Sequence, residues 1–272
     1  MVIRVKAFFH EKPPKERRKN ELMSSLPVPK AVAKMAIPSV ISSLVTVVYN
    51  MADTFFVGQT GDPLQVAAVS LTNPIFILFM AFANMFGMDG SAAASMAMGE
   101  KNEKRMKQVS AFVTYASLIV GVALAVILMV FMTPVLNMFG ANEQTFLYAK
   151  GYTFHIAYGA PFIIWSAAAS FVVRAEGASK EAMIGSMIGT VANIVLDPVL
   201  ISGMGMGAAG AAVATTIGNI LASIYYLWYF VKKSKYFSIS FQYFTCKDGI
   251  LSGVCDQQHF VGCFMEGNQK TD

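Results

Sequence analysis

Two acidic residues inside apolar segments, Asp53 and Asp197, are the positions at which this sequence is best able to do chemistry. Asn193 precedes Asp197 by four residues, so a helix would place the carboxamide and the carboxylate on one face. Pro198 follows, lacks an N–H and crowds the carbonyl of Ile194. An ionised aspartate in hydrocarbon costs about 2.5 to 3.5 kcal/mol on insertion scales, so such residues usually face a polar cavity. The group therefore predicts a cation or proton site in a membrane transporter.

Membrane helices are the elements that must position these residues. Hydrophobic residues make up 55% of the chain and charged residues 14%, and the mean hydropathy is +0.53, which is high for a soluble domain. The apolar residues run in blocks of roughly 20 to 25, the length that a helix needs to cross about 30 Å of hydrocarbon. We predict an all-α, polytopic membrane protein with six transmembrane helices, at about 31–56, 64–88, 109–132, 149–172, 183–202 and 208–231.

The basic residues fall almost entirely on one side of the predicted membrane. With the N-terminus inside, only Lys150 lies in an outer connection. This is the positive-inside pattern, so the net charge of +5 indicates topology and does not indicate a nucleic-acid partner. We predict a multi-pass protein of the cytoplasmic (inner) cell membrane with the lipid bilayer around it and both termini cytoplasmic. The cytoplasmic basic residues are Arg4, Lys6, Lys12, Lys15, Arg17, Arg18, Lys19, Lys30, Lys34, Lys101, Lys104, Arg105, Lys107, Arg174, Lys180, Lys232, Lys233 and Lys235.

The helix directions place five polar residues in the outer half of the bilayer, namely Asp53, Tyr152, Asn193, Asp197 and Thr215. Two carboxylates near each other in a low dielectric resist being charged together, so they should share a proton or hold a cation. We predict that the five form a coupling-cation or proton site. No tightly bound metal is expected, although Asp197, Asn193 and Thr215 suit a transient sodium ion.

Simpler roles remain open for some of these residues. Asp53 lies close to the end of its helix, where it would cap the helix in the headgroup region, and Tyr152 would suit an interfacial aromatic belt. His155 is either a proton relay or a packed polar residue. Pro38 and Pro198 are predicted helix hinges, because proline bends membrane helices.

The two ends of the chain differ from the six-helix block. We divide the sequence into a cytoplasmic tail (1–30) without a removable signal peptide, a membrane lobe (31–236) and an atypical C-terminal segment (237–272). That last segment is expected to be disordered or frameshifted. Its cysteines, Cys246, Cys255 and Cys263, lie near His259 in a spacing that fits neither a zinc ribbon nor a CxxC pair.

Several segments together resemble the multidrug and toxic compound extrusion (MATE) family over roughly residues 30 to 240. After Pro38 they are 49–58 (YNMADTFFVG), 71–74 (LTNP), 174–177 (RAEG), 193–201 (NIVLDPVLI) and 207–215 (GAAGAAVAT). The resemblance implies that Asp53, Tyr152, Asn193, Asp197 and Thr215 match the cation-site positions of the family's amino-terminal lobe.

The resemblance also implies an architecture and an activity. The family has twelve helices in two six-helix lobes around a central cleft, and it exports amphipathic, often cationic drugs in exchange for H⁺ or Na⁺. It would make this chain a transporter and not an enzyme, with no cofactor besides the coupling ion. The likeness ends after about Phe244, so we expect a truncated form whose missing second lobe, or a homodimer partner, would complete the cleft.

Two other functions stay open. A lipid-linked oligosaccharide flippase shares the general architecture, but it should place arginines in its cavity to hold phosphate, and the six predicted spans contain none. A non-transporting membrane fragment or assembly module is the alternative that the C-terminal segment raises.

Overall fold

The computed structural model describes residues 28–59 and 61–234, and this part of the chain is helical throughout, without a strand. The predicted all-α fold is confirmed. The helices are α1 (Val28–Gly58), α2 (Pro63–Gly99), α3 (Glu103–Val130), α4 (Met132–Met138), α5 (Glu143–Ala175), α6 (Ser179–Asp197) and α7 (Ala208–Lys232), and a π-helical turn (Pro198–Gly203) follows α6. The predictions for the two tails, including the three cysteines and His259, lie outside the described residues.

Five of the described helices are long and apolar enough to cross a membrane: α2, α3, α5, α6 with the π-helical turn, and α7. α1 has 31 residues and spans about 46 Å at 1.5 Å per residue, and within it the stretch Val40–Tyr49 is apolar. Connections of a few residues join most of these helices, so consecutive helices run antiparallel as neighbours. The helix set is that of a multi-pass membrane protein.

Two features of the described helices differ from the predicted spans. α2 continues to Gly99, well beyond the predicted end near 88, because small residues such as Gly90, Ala94 and Ala97 keep packing its C-terminal end. The short helix α4 was not predicted at all. It buries Met132 and Leu136, which are one turn apart, and a single apolar turn is too short a pattern to recognise in a sequence.

α5 is the central helix of the bundle, where it packs against α2, α3 and α7. It contributes to two apolar clusters. One includes Trp165, Val172 and Tyr226, and the other includes Phe79, Ile156, Ile163 and Ile201. Tyr152 of the predicted site lies on this central helix. The other site residues lie on α1, α6 and α7, of which α6 and α7 pack against α5 and α1 packs against α6.

α6 and α7 approach closely enough for backbone contact. A methyl group added at Gly189 would lie 2.9 Å from the carbonyl oxygen of Gly218, and one added at Gly218 would lie 2.6 Å from that of Gly189. Small residues allow this approach in lipid, where close packing replaces the hydrophobic driving force. The contact brings Asn193, one turn beyond Gly189, beside the residues of α7.

Candidate cation-binding site

Asp197 and Asn193 end α6 as buried polar residues, with 0% and 3% of their surfaces exposed. With Asp197 ionised, the hydrogen-bond network assigns the Asn193 carboxamide with its nitrogen toward Asp197, because its oxygen would otherwise face a carboxylate that has no proton to donate. In this orientation Nδ2 donates to Asp197 Oδ2 at 2.8 Å, and Oδ1 accepts from Thr215 Oγ1 at 3.1 Å. A chain of hydrogen bonds therefore runs from the Asp197 carboxylate across to α7.

A cavity of about 550 Å³ lies on the other side of Thr215. Asp53, Tyr152 and Thr215 line it together with residues of α1 and α2. The Asp53 Oδ1 atom is buried and has no hydrogen-bond partner. The last turn of a helix presents carbonyl oxygens, to which a carboxylate cannot donate, so the geometry does not favour the capping alternative. The structure thus brings the five predicted residues into one region, with Thr215 between the two carboxylates.

Sequence reasoning missed Tyr49, which belongs to the same group. Its hydroxyl lies 3.3 Å from Thr215 Oγ1, and its side chain lines the cavity. Tyr49 precedes Asp53 by four residues, so the helical period places both on one face of α1. That spacing was the available signal, but nothing local indicated that this face meets α7. Asn73 on α2 also lines the cavity and was not predicted as a site residue.

The remaining predicted residues lie in different positions. Pro38 falls within α1, and its side chain is outside the described part of the chain. Pro198 begins the π-helical turn directly after Asp197. His155 does not line the cavity, and its ring lies edge-on against Phe154 with centroids 5.6 Å apart. A packed polar residue describes His155 better than a proton relay.

The chemistry of the Asp197 group suits a hard monovalent cation or a proton. Asp197 offers carboxylate oxygens and Thr215 offers a hydroxyl, and oxygen is the ligand that hard cations prefer. The Asn193 carboxamide oxygen would join them only after the amide turns over, because its nitrogen faces Asp197. The same carboxylate can instead take up a proton and remain bonded to Asn193. Among the cavity-lining residues of the described chain there is no lysine or arginine, so nothing there neutralises Asp53.

Comparisons with known proteins show the family to which the chain belongs. The MatE family model matches residues 38–199. The chain belongs to the MatE family. Among curated relatives, the multidrug export protein MepA of Staphylococcus saprophyticus is 34% identical over 215 residues, and that of Staphylococcus aureus strain NCTC 8325 is 31% identical over 214 residues. Each alignment covers 79% of this chain and 48% of the relative, so the chain spans about half the length of these proteins.

Solved MATE structures are similar to the chain. A crystal structure of MATE in the straight conformation is 29% identical, with a TM-score of 0.79 over 86% of this chain and 52% of that one. An outward-facing multidrug resistance MATE transporter of the MOP superfamily gives 0.80 at 28% identity over 87% and 52% of the two chains. An inward-facing one gives 0.71 at 29% identity over 76% and 47%. The predicted MATE resemblance is confirmed.

Proposed function

We propose that this chain forms one six-helix lobe of a cation-coupled multidrug exporter. The observation that carries the proposal is the hydrogen-bonded chain from buried Asp197 through Asn193 to Thr215, which ends at a cavity lined by Asp53. Relatives that are named multidrug export proteins support the activity. Because the chain spans about half of their length, the proposal concerns one lobe of the exporter.

In the proposed mechanism Asp197 takes up the coupling H⁺ or Na⁺ and Asp53 holds the charge of the exported compound. Asn193 and Thr215 serve as neutral ligands for the cation. When the coupling ion binds Asp197, it neutralises a negative charge that also attracts the drug cation toward Asp53. Arrival of the coupling ion therefore favours release of the drug. Exchange of one monovalent coupling ion for a singly charged drug moves no net charge, so the concentration gradient of the coupling ion drives it. A tenfold gradient of that ion supplies about 1.4 kcal/mol and supports a roughly tenfold drug gradient.

The cavity indicates the kind of compound to be exported. Its volume of about 550 Å³ is that of a small-molecule site, and apolar side chains such as Phe76, Ile77 and Met80 line about half of it beside a single carboxylate. This lining suits an amphipathic organic cation. A lipid-linked phosphate would need basic side chains, so the described cavity gives no support to the flippase alternative.

Replacing Thr215 by valine is expected to weaken the binding of sodium and to leave the protonation of Asp197 unchanged. Valine keeps the shape of threonine but removes the hydroxyl that contacts Asn193 and Tyr49. A sodium ion would lose one oxygen ligand and should bind at least about tenfold more weakly, equivalent to about 1.4 kcal/mol, whereas protonation of Asp197 needs no such ligand. Sodium-dependent thermal stabilisation of the purified chain measures the change.

Thr215→Ser provides the matched control, because serine retains the hydroxyl, and it should bind sodium nearly as well as the wild type. Equal sodium affinity in Thr215→Val and wild type would remove Thr215 from the ion's ligands. Sodium binding by neither protein, together with acid-dependent stabilisation that Asp197→Asn loses, would assign the coupling ion as a proton.

The proposed location is the cytoplasmic membrane with both ends of the lobe inside, as the basic residues indicate. In a background with serine at positions 246, 255 and 263, we expect an impermeant maleimide added to intact cells to label Gln144→Cys and not Lys104→Cys. Both side chains are exposed in the structure, so access depends on the side of the membrane alone. External labelling of position 104 without labelling of 144 would reverse the topology.

A further inference from the structure

A π-helical turn begins directly after the buried carboxylate of Asp197. Met204 N–H donates to the carbonyl of Val199 at 2.8 Å, which is the i to i+5 bond of a π helix. Pro198 has no N–H to continue the α-helical pattern at this point. π-helical turns are rare and frequently occur at functional sites, where they insert one extra residue into a turn. Asp197 therefore lies at a junction between two kinds of helical backbone.

On the inner side of this junction α6 is held firmly. Its backbone touches that of α7 at Gly189 and Gly218, and Asn193 bonds to Thr215 one turn further on. Binding or release of a cation or proton at Asp197 is therefore not expected to move the part of α6 that precedes it. The π-helical turn adjoins Asp197 on the opposite side and is therefore the segment through which a change at Asp197 would act.

The π-helical turn packs backbone on backbone against the first turn of α7. A methyl group added at Gly210 would lie 2.9 Å from both the carbonyl carbon and the oxygen of Leu200. The bonds from Met206 N–H to the Leu200 carbonyl and from Gly207 N–H to the Ile201 carbonyl, at 3.2 and 3.3 Å, close the loop between them. A change in the turn would therefore displace the start of α7.

The start of α7 is in turn bonded to α2. The N–H of Ala208 donates to Gln65 Oε1 at 2.8 Å, across 143 positions in sequence. Gly207 has a φ of 55°, and a side-chain carbon there would overlap the Gln65 carboxamide. Gln65 adjoins Val66, which lines the cavity with Val69 and Ser70. The contacts thus form a continuous path from Asp197 to the outer wall of the cavity.

We propose that the π-helical turn transmits the occupancy of Asp197 to the outer wall of the cavity, with Gln65 as the positioning residue through which α2 follows. The inference rests on the proposed cation site. A π turn holds one residue more than an α turn, so tightening it moves the residues beyond it by about 1.5 Å, the rise of one residue. That displacement reaches α2 only while Gln65 accepts from Ala208.

Hydrogen–deuterium exchange of the purified 272-residue chain in lipid nanodiscs tests the proposal. One comparison measures amide exchange in sodium chloride and in choline chloride at the same pH. A second comparison measures it at two pH values without sodium, after correction for intrinsic exchange rates. In the wild type we expect the cation or the proton to change exchange at least about fivefold in peptides covering 204–208 and 61–72. Asp197→Asn should show neither change.

Substitutions at Gln65 separate transmission from binding. In Gln65→Leu we expect the 204–208 peptide to respond as in the wild type while the 61–72 peptide no longer responds. Gln65→Glu keeps an oxygen acceptor for Ala208 N–H and should restore the response. Gln144→Leu changes an exposed glutamine on the same side of the lobe and should respond as the wild type does.

The possible outcomes distinguish this inference from the function on which it rests. If a cation stabilises the wild type against heat and Asp197→Asn abolishes the effect, but neither peptide changes its exchange, the site stands and transmission is wrong. A 61–72 response that persists in Gln65→Leu would remove Gln65 from the path. No cation or proton effect on either stability or exchange would overturn the proposed function and this inference together.

Discussion

Asp197→Asn is expected to abolish the stabilisation of this lobe by its coupling cation. Asparagine keeps the size of the side chain and an oxygen for hydrogen bonding with Asn193, but it can neither bind a proton at neutral pH nor neutralise sodium. A cation at one hundred times its dissociation constant stabilises a protein by about 2.7 kcal/mol, and the variant should lose all of this. Thermal unfolding of the purified chain across sodium concentration and pH measures the loss.

Asp89→Asn is the matched control for this experiment. Asp89 is another acidic residue within a membrane helix, but it lies in α2 outside the described cavity lining. Its substitution should leave the cation response at the wild-type level. A cation response of full size in Asp197→Asn would mean that another group binds the ion.

Asp53→Asn is expected to weaken the binding of an organic cation to the lobe by at least about tenfold, which corresponds to about 1.4 kcal/mol. The reason is the buried Oδ1 atom of Asp53, which lines the cavity without a partner and without a basic neighbour in the described lining. Fluorescence anisotropy of ethidium with the chain in nanodiscs measures the affinity.

Asp62→Asn tests whether the effect belongs to the cavity or to any negative charge near its outer end. The Asp62 side chain accepts from Leu64 N–H and caps α2, and asparagine caps a helix about as well. This variant should therefore fold normally and keep its ethidium affinity. Equal weakening by both substitutions would indicate general attraction of the probe and no specific contact with Asp53.

The sequence predicted those features of the site that depend on local spacing and depth. Asn193 and Asp197 are four residues apart, so their shared face follows from helical geometry alone. The helix directions that the basic residues indicate predict similar depths for Asp53, Tyr152 and Thr215, and all three residues line one cavity. The composition likewise predicted the all-α membrane fold, because long apolar blocks have few other structures available to them.

The features that the sequence did not reveal depend on contacts between distant segments. Tyr49 became a site residue only because α1 meets α7, and Gln65 bonds to Ala208 only because α2 reaches the start of α7. The π-helical turn was also missed. Pro198 predicted a disturbed helix, but the choice of i to i+5 bonding depends on how the turn packs against Gly210.

Displacement of ethidium by the coupling ion tests the central claim most directly, because exchange at one lobe is the step on which antiport depends. Ethidium is bound to the chain in nanodiscs, and its anisotropy is followed as sodium is added at fixed pH and as pH is lowered without sodium. We predict that one of the two treatments releases the probe from the wild type at a sodium or proton concentration that leaves it bound to Asp197→Asn. Ethidium affinity that stays constant across sodium concentration and pH in the wild type would contradict the account.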